Sequence, residues 1–159
     1  MNKFKMLGGR EIENIGDYVK SYLKLHPEVS IHIGTDSIKN KHFATVLCFQ
    51  FPQKGVHYVF RKFNLDPIDD IRLKILKEAE YTMELAEYLE SYLSSFKRKR
   101  MYESDSKIIS LHVDVNPNEC WGSNKAYREV TGWFVGTGYD VRTKPHAWAA
   151  STAADFLCK

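Results

Sequence analysis

Cysteine is scarce: Cys48, Cys120 and Cys158 are odd in number and widely spaced. No two of them form a CxxC pair, so a zinc knuckle or a disulfide framework is disfavoured and reduced, buried thiols are expected. No apolar run approaches the roughly 18 residues that a membrane helix needs. The opening stretch from Met1 to Arg10 lacks the continuous apolar segment of a signal peptide. A soluble, cytoplasmic protein is the expectation. Neither sign of charge dominates, since 23 Lys+Arg stand against 20 Asp+Glu for a net charge of +3. That balance is compatible with a polyanionic partner without demanding one. Internal repeats and low-complexity segments are also missing.

What is present suits one folded unit. With 159 residues, 43% of them hydrophobic and 13% aromatic, the chain supports one real core and is too short for two. A single domain over residues 1–159 is expected, with a core at about 29–157. Residues 11–25 carry Ile12, Ile15, Val19 and Tyr22 at helical spacing and stop at His26-Pro27. Val29 to Asp36 and His42 to Phe51 alternate as strands, and Val56 to Phe63 follows the turn at Pro52–Gly55 as a third. Short connections make these an antiparallel meander. A long helix is predicted from 69 to about 97, a fourth strand at Ile108–Val115 and a helix from about Ser123 to Val135. A short strand at Tyr139–Arg142 and a last helix beginning at Pro145 complete the chain. The order predicts an α/β fold: a mixed five-stranded sheet, three antiparallel strands then two parallel, with helices on both faces and an N-terminal helix.

Acidic residues fall at corresponding places in this order. Ser30, His32, Gly34 and Asp36 share one face of the first strand, and Ser110, His112 and Asp114 share one face of the fourth. If these strands are parallel neighbours, Asp36 and Asp114 project together at the carboxyl edge, where open α/β sheets place ligands. The plainer reading is that each Asp caps its own loop. In the long helix Ile75, Ala79, Thr82, Ala86, Leu89 and Leu93 form one stripe. Glu80, Glu84 and Glu87 lie opposite it as solvated charges, but Glu78 lies within the apolar arc. A buried carboxylate is costly unless compensated, either by a cationic side chain such as Arg72 or Arg128 or by a metal. Three acids without cysteine suit a hard cation, Mg²⁺ or Mn²⁺, which points to phosphate chemistry.

The chain resembles the ribonuclease H-like superfamily in this β-β-β-α-β-α-β-α order with its three acids. Ile33-Gly34-Thr35-Asp36-Ser37, the segment Arg72 to Ala86, His112-Val113-Asp114-Val115-Asn116-Pro117 and Lys144-Pro145-His146-Ala147-Trp148-Ala149-Ala150-Ser151 are similar to the YkuK family within it, over roughly residues 29–157. The resemblance implies Asp36 as the bridging metal ligand, with Glu78 and Asp114 on either side. It also implies a fourth ligand from the last helix, for which Asp155 and His146 are the candidates. About nine residues of helix, some 13 Å of rise, separate those two, so both cannot serve one metal pair. The implied reaction is two-metal phosphodiester hydrolysis, one ion activating a water and the other stabilising the leaving 3′ oxygen.

Thr35, Ser37, Asn116 and Trp121 are the candidate substrate contacts, whereas Asn124 is read as a cap. Trp133 is expected in the core, and His32 and His112 as satisfied interior histidines. Lys97-Arg98-Lys99-Arg100 suits either a phosphate backbone or a helix end. The leading function is a metal-dependent nuclease acting on RNA, RNA–DNA hybrid or structured DNA. The alternative is a catalytically weak or inactive nucleic-acid-binding module on the same fold. An actin-like phosphotransferase needs two copies of the domain and is set aside.

Overall fold

A computed structural model describes residues 3–94 and 109–158; the basic run at 97–100 lies outside them. In chain order the elements are β1 (Phe4–Met6), β2 (Glu11–Ile12), α1 (Ile15–Leu25), β3 (Ser30–Ile38), β4 (His42–Phe51), β5 (Gly55–Asn64), α2 (Ile71–Tyr92) and β6 (Ile109–His112). A 3₁₀ turn at Gly122–Ala126 leads into α3 (Tyr127–Gly136), followed by β7 (Asp140–Arg142). A wide π-type turn at Ala149–Ala154 then runs into α4 (Asp155–Cys158). No helix among the described residues is long and apolar enough to cross a membrane.

The strands form one sheet in the order β2-β1-β5-β4-β3-β6-β7. Its centre is the expected meander, β3–β4 and β4–β5 antiparallel, continued by the parallel pairs β3–β6 and β6–β7. The count is seven rather than five. The two extra strands are a hairpin over residues 4–12, turned at Gly8-Gly9, with Gly9 at a φ of +83° that suits glycine. Phe4 and Ile12 bury themselves in the main core, and Lys5 and Met6 pair with Phe60 and Val59. Glu11 and Ile12 therefore belong to a strand, and α1 starts only at Ile15, after the Asn14 side chain has capped Asp17 N–H at 3.0 Å.

The sheet's two faces bury different partners. Ile31, Ile33, Leu47, Phe49, Val59, Ile109 and Leu111 face α1, α2 and α3 through Val19, Leu23, Ala79, Leu85, Leu89, Val130 and Phe134. The whole predicted stripe of the long helix is buried. On the opposite face Ala44, Val46 and Cys48 meet Ala149, Ala154 and Leu157. The close approach there depends on Gly34, because a Cβ at that position would lie 2.6 Å from Ala150 N.

Four local expectations change. Pro145 does not start a helix: Lys144-Pro145 lies in a turn closed by His146 N–H to Thr143 O at 2.8 Å, and helical structure begins at Trp148. The fourth strand ends at His112, since Val113 N–H bonds Arg142 O and Val115 N–H folds back onto Val113 O. Trp133 is 40% exposed, one residue off the Val130/Phe134 stripe that turns inward on α3. Glu84 is not a solvated bystander, because it pairs at 3.4 Å with Arg61, a buried guanidinium flanked by the rings of Phe4, Phe63 and Tyr81.

Candidate active site

β6 is shorter than its neighbour. Its pairing with β3 stops at Gly34–His112, whereas β3 continues to Ile38, leaving a notch beside residues 35–38. Asp36 sits in the stretch that overhangs. Its neighbour Ser37 points to the α2 face, and its hydroxyl donates to Glu78 Oε1 at 2.6 Å, while Ser37 N–H donates to Asp36 Oδ1 at 2.8 Å. One serine thus joins two acids that come from opposite faces of the sheet. Asp114 follows the tight turn after β6, so it reaches the notch from the loop and not as the last residue of the strand.

The electrostatics show how closely these groups are drawn together. Burial pushes Asp36 up to about 6, and Asp114 and Asp155 raise it further against the opposing pull of Ser37 N–H and Lys74. Burial pushes Glu78 up to about 8, with Asp36 and Asp114 adding to the rise. Asp155, on α4, therefore acts on Asp36. Cys158 on the same helix donates its thiol to Asp36 O at 3.2 Å. His146 is exposed in the turn before the helix, nine residues ahead of Asp155 in the chain.

Two lysines stand among the acids. Lys144 Nζ lies 2.8 Å from Asp114 Oδ1, and Lys74 Nζ lies 3.7 Å from Glu78 Oε1. Arg72, one of the two arginines considered for Glu78, is instead paired with Glu129 at 2.7 Å. The Lys74 pairing was legible as an i,i+4 spacing, whereas Lys144 reaches Asp114 only because β7 lies beside β6. Despite its lysine, Asp114 Oδ1 is buried without a hydrogen-bond partner. The buried carboxylates of Asp36 and Glu78 beside an orphaned carboxylate oxygen fit a hard cation. Among the described residues, no three His, Cys, Asp or Glu side chains come close enough to hold one ion by themselves, so a cation here would draw part of its shell from water or substrate, as Mg²⁺ commonly does.

The candidate substrate residues divide. Thr35 is buried with its hydroxyl 3.1 Å from Thr45 Oγ1 and 2.9 Å from Thr82 Oγ1, which makes it a core polar pin and not a phosphate contact. Asn116 Oδ1 accepts from Asn118 N–H at 2.9 Å, and Asn124 Nδ2 donates to the carbonyls of Asn116 and Pro117. Asn124 is thus structural as expected, and Asn116 shapes the same loop. Trp121 is 60% exposed at the end of that loop.

Beneath the notch His32 and His112 form the expected interior pair. Ala149 N–H donates to His112 Nδ1 at 3.0 Å, which leaves the proton on His112 Nε2 to meet His32 Nδ1 at 3.1 Å. His32 Nε2–H then reaches Ser30 Oγ at 3.0 Å. Both rings pack against Trp148. Burial lowers His32 to about 4 and His112 to about 3, so both are neutral and the chain of donors is complete.

A mixed sheet whose central strand carries an acid, flanked by acids from the first long helix and from the loop after the parallel strand, defines the ribonuclease H-like class. The family model described as Ribonuclease H-like matches residues 11–159, and the chain belongs to that family. The comparisons with curated proteins and with solved structures return no match.

Proposed function

We propose that the protein is a divalent-metal-dependent nuclease that hydrolyses phosphodiester bonds of RNA, RNA–DNA hybrid or structured DNA. The observation that carries this reading is the pair of buried, proton-hungry carboxylates of Asp36 and Glu78, joined by Ser37, beside the orphaned Asp114 Oδ1. Mg²⁺ or Mn²⁺ at the notch would supply an activated water and positive charge for the leaving 3′ oxygen. Asp36, Glu78 and Asp114 hold the cations in this reading, with Asp155 as the fourth ligand because it acts on Asp36. His146 keeps a peripheral role. Ser37 orients Glu78, and Trp121 offers a ring for an unpaired base.

The test is a panel of hybrid, duplex, branched and single-stranded substrates with Mg²⁺ and Mn²⁺, run on the parent and on Asp36→Asn. Metal-dependent cleavage by the parent that is lost in the variant supports the nuclease. Two lysines standing beside Asp114 and Glu78, with no tight trio of ligands among the described residues, favour the second reading, a catalytically weak or inactive nucleic-acid-binding module. Metal-independent binding with no cleavage of any substrate would establish that one.

A further inference from the structure

We propose that Lys144 is a substrate-phosphate-binding residue that rests on Asp114 until a divalent cation takes its place. The proposal rests on the nuclease reading for its substrate and adds a device that couples metal loading to substrate grip.

The root of Lys144 is fixed and its tip is not. Its backbone N–H bonds Val115 O at 3.1 Å, and the turn after it is closed by His146 N–H on Thr143 O. The side chain remains 40% exposed. Its ammonium is 2.8 Å from Asp114 Oδ1, yet that oxygen has no aligned hydrogen bond. The contact is therefore one of charge without directional locking, and a compact ammonium on a four-carbon stem exchanges such a partner readily. Lys74 keeps the same relation to Glu78 at the longer distance of 3.7 Å.

A divalent cation and an ammonium compete for one carboxylate oxygen. When the cation wins, its charge repels Lys144 Nζ, which then lies at the mouth of the notch with no anion of its own. A phosphate oxygen of the nucleic-acid backbone supplies one. Metal and phosphate thereby favour each other's binding, and the coupling is reciprocal.

Mn²⁺ titration calorimetry on the parent, Lys144→Met and Lys144→Arg tests the competition. Lys144→Met is expected to bind Mn²⁺ about fivefold more tightly, the scale of a half-exposed ion pair, and Lys144→Arg no more tightly than the parent. In an Asp114→Asn background, Lys144→Met should have no further effect. With Mn²⁺ saturating, binding of a short phosphorothioate oligonucleotide by Lys144→Met should weaken and lose about one unit of salt slope. Equal or weaker Mn²⁺ binding by Lys144→Met, or an unchanged salt slope, overturns the proposal; Lys144→Gln replaces it if the methionine variant melts early. A parent that binds Mn²⁺ but cleaves nothing defeats the nuclease reading alone, because the Mn²⁺ competition is read without cleavage.

Discussion

Gly34 lies directly under the Ala149–Ala150 peptide, where a Cβ would come within 2.6 Å of Ala150 N and 2.8 Å of Ala149 C. These are backbone atoms, which cannot swing aside as a side-chain tip can. Gly34→Ala should therefore push the π-type turn off β3, at a cost of about 1–3 kcal/mol. Chemical denaturation measures the loss. Because Ala149 N–H anchors His112 and the turn leads to Asp155, any cleavage activity should fall at temperatures where the variant is still folded.

The buried histidines give the fold an acid limit. Their folded values of about 4 and about 3 lie below the ordinary 6.5, so the unfolded chain binds more protons between those values. Stability from this pair is complete above pH 6.5 and is lost as pH falls towards 4. The groups facing them are Trp148, Arg142 and Asp140. Denaturation at stepped pH between 6.5 and 5 in an Asp36→Asn/Glu78→Gln background, where the contribution of those two carboxylates is gone, should show a slope approaching 2.7 kcal/mol per pH unit at most, or about two protons.

The acids act in the opposite direction. Asp36 at about 6 and Glu78 at about 8 lie above their ordinary 3.8 and 4.5, so the folded state holds the extra protons. Metal-free stability should fall as pH rises from 4 through 8, with Asp36 alone costing about 3 kcal/mol once ionised. Asp36→Asn should raise the metal-free melting temperature at pH 8. The Mn²⁺-induced rise of the parent should grow between pH 5 and pH 8 and be small in that variant. Thermal shift with and without a chelator measures both.

Trp121 is 60% exposed, so Trp121→Ala should leave the melting temperature within about a degree, the usual result for a surface change. Single-stranded nucleic acid should bind more weakly by about 1–3 kcal/mol if the ring stacks on a base. Fluorescence anisotropy with a labelled oligonucleotide checks it, and unchanged affinity removes Trp121 from the interface.

Much of this arrangement is legible in the chain because it rests on periodicity. Alternation marks β3 to β5, and the apolar stripe of α2 exposes Glu78 as the acid on the wrong side. What escapes is set by single contacts between distant segments. Phe4 and Met6 alternate over too few residues to announce a strand, and they form one because β5 offers an edge. Trp133 and Phe134 are equally apolar neighbours, and only the angle of α3 decides which turns inward. Lys144 becomes a partner of Asp114 through the β6–β7 pairing, and Thr35 is withdrawn from any ligand by Thr45 and Thr82, which no local pattern foretells.

Both margins of the sheet are stubs: Glu11–Ile12 at one side and Asp140–Arg142 at the other. A neighbouring molecule seeking to extend the ladder from either terminal strand would find only two or three residues to bond. Such brevity is a recognised protection against edge-to-edge aggregation. The hairpin at residues 4–12 therefore does more than add area, because it pairs with Val59 and Phe60 at the middle of the ten-residue β5 and interrupts the edge that strand would otherwise present.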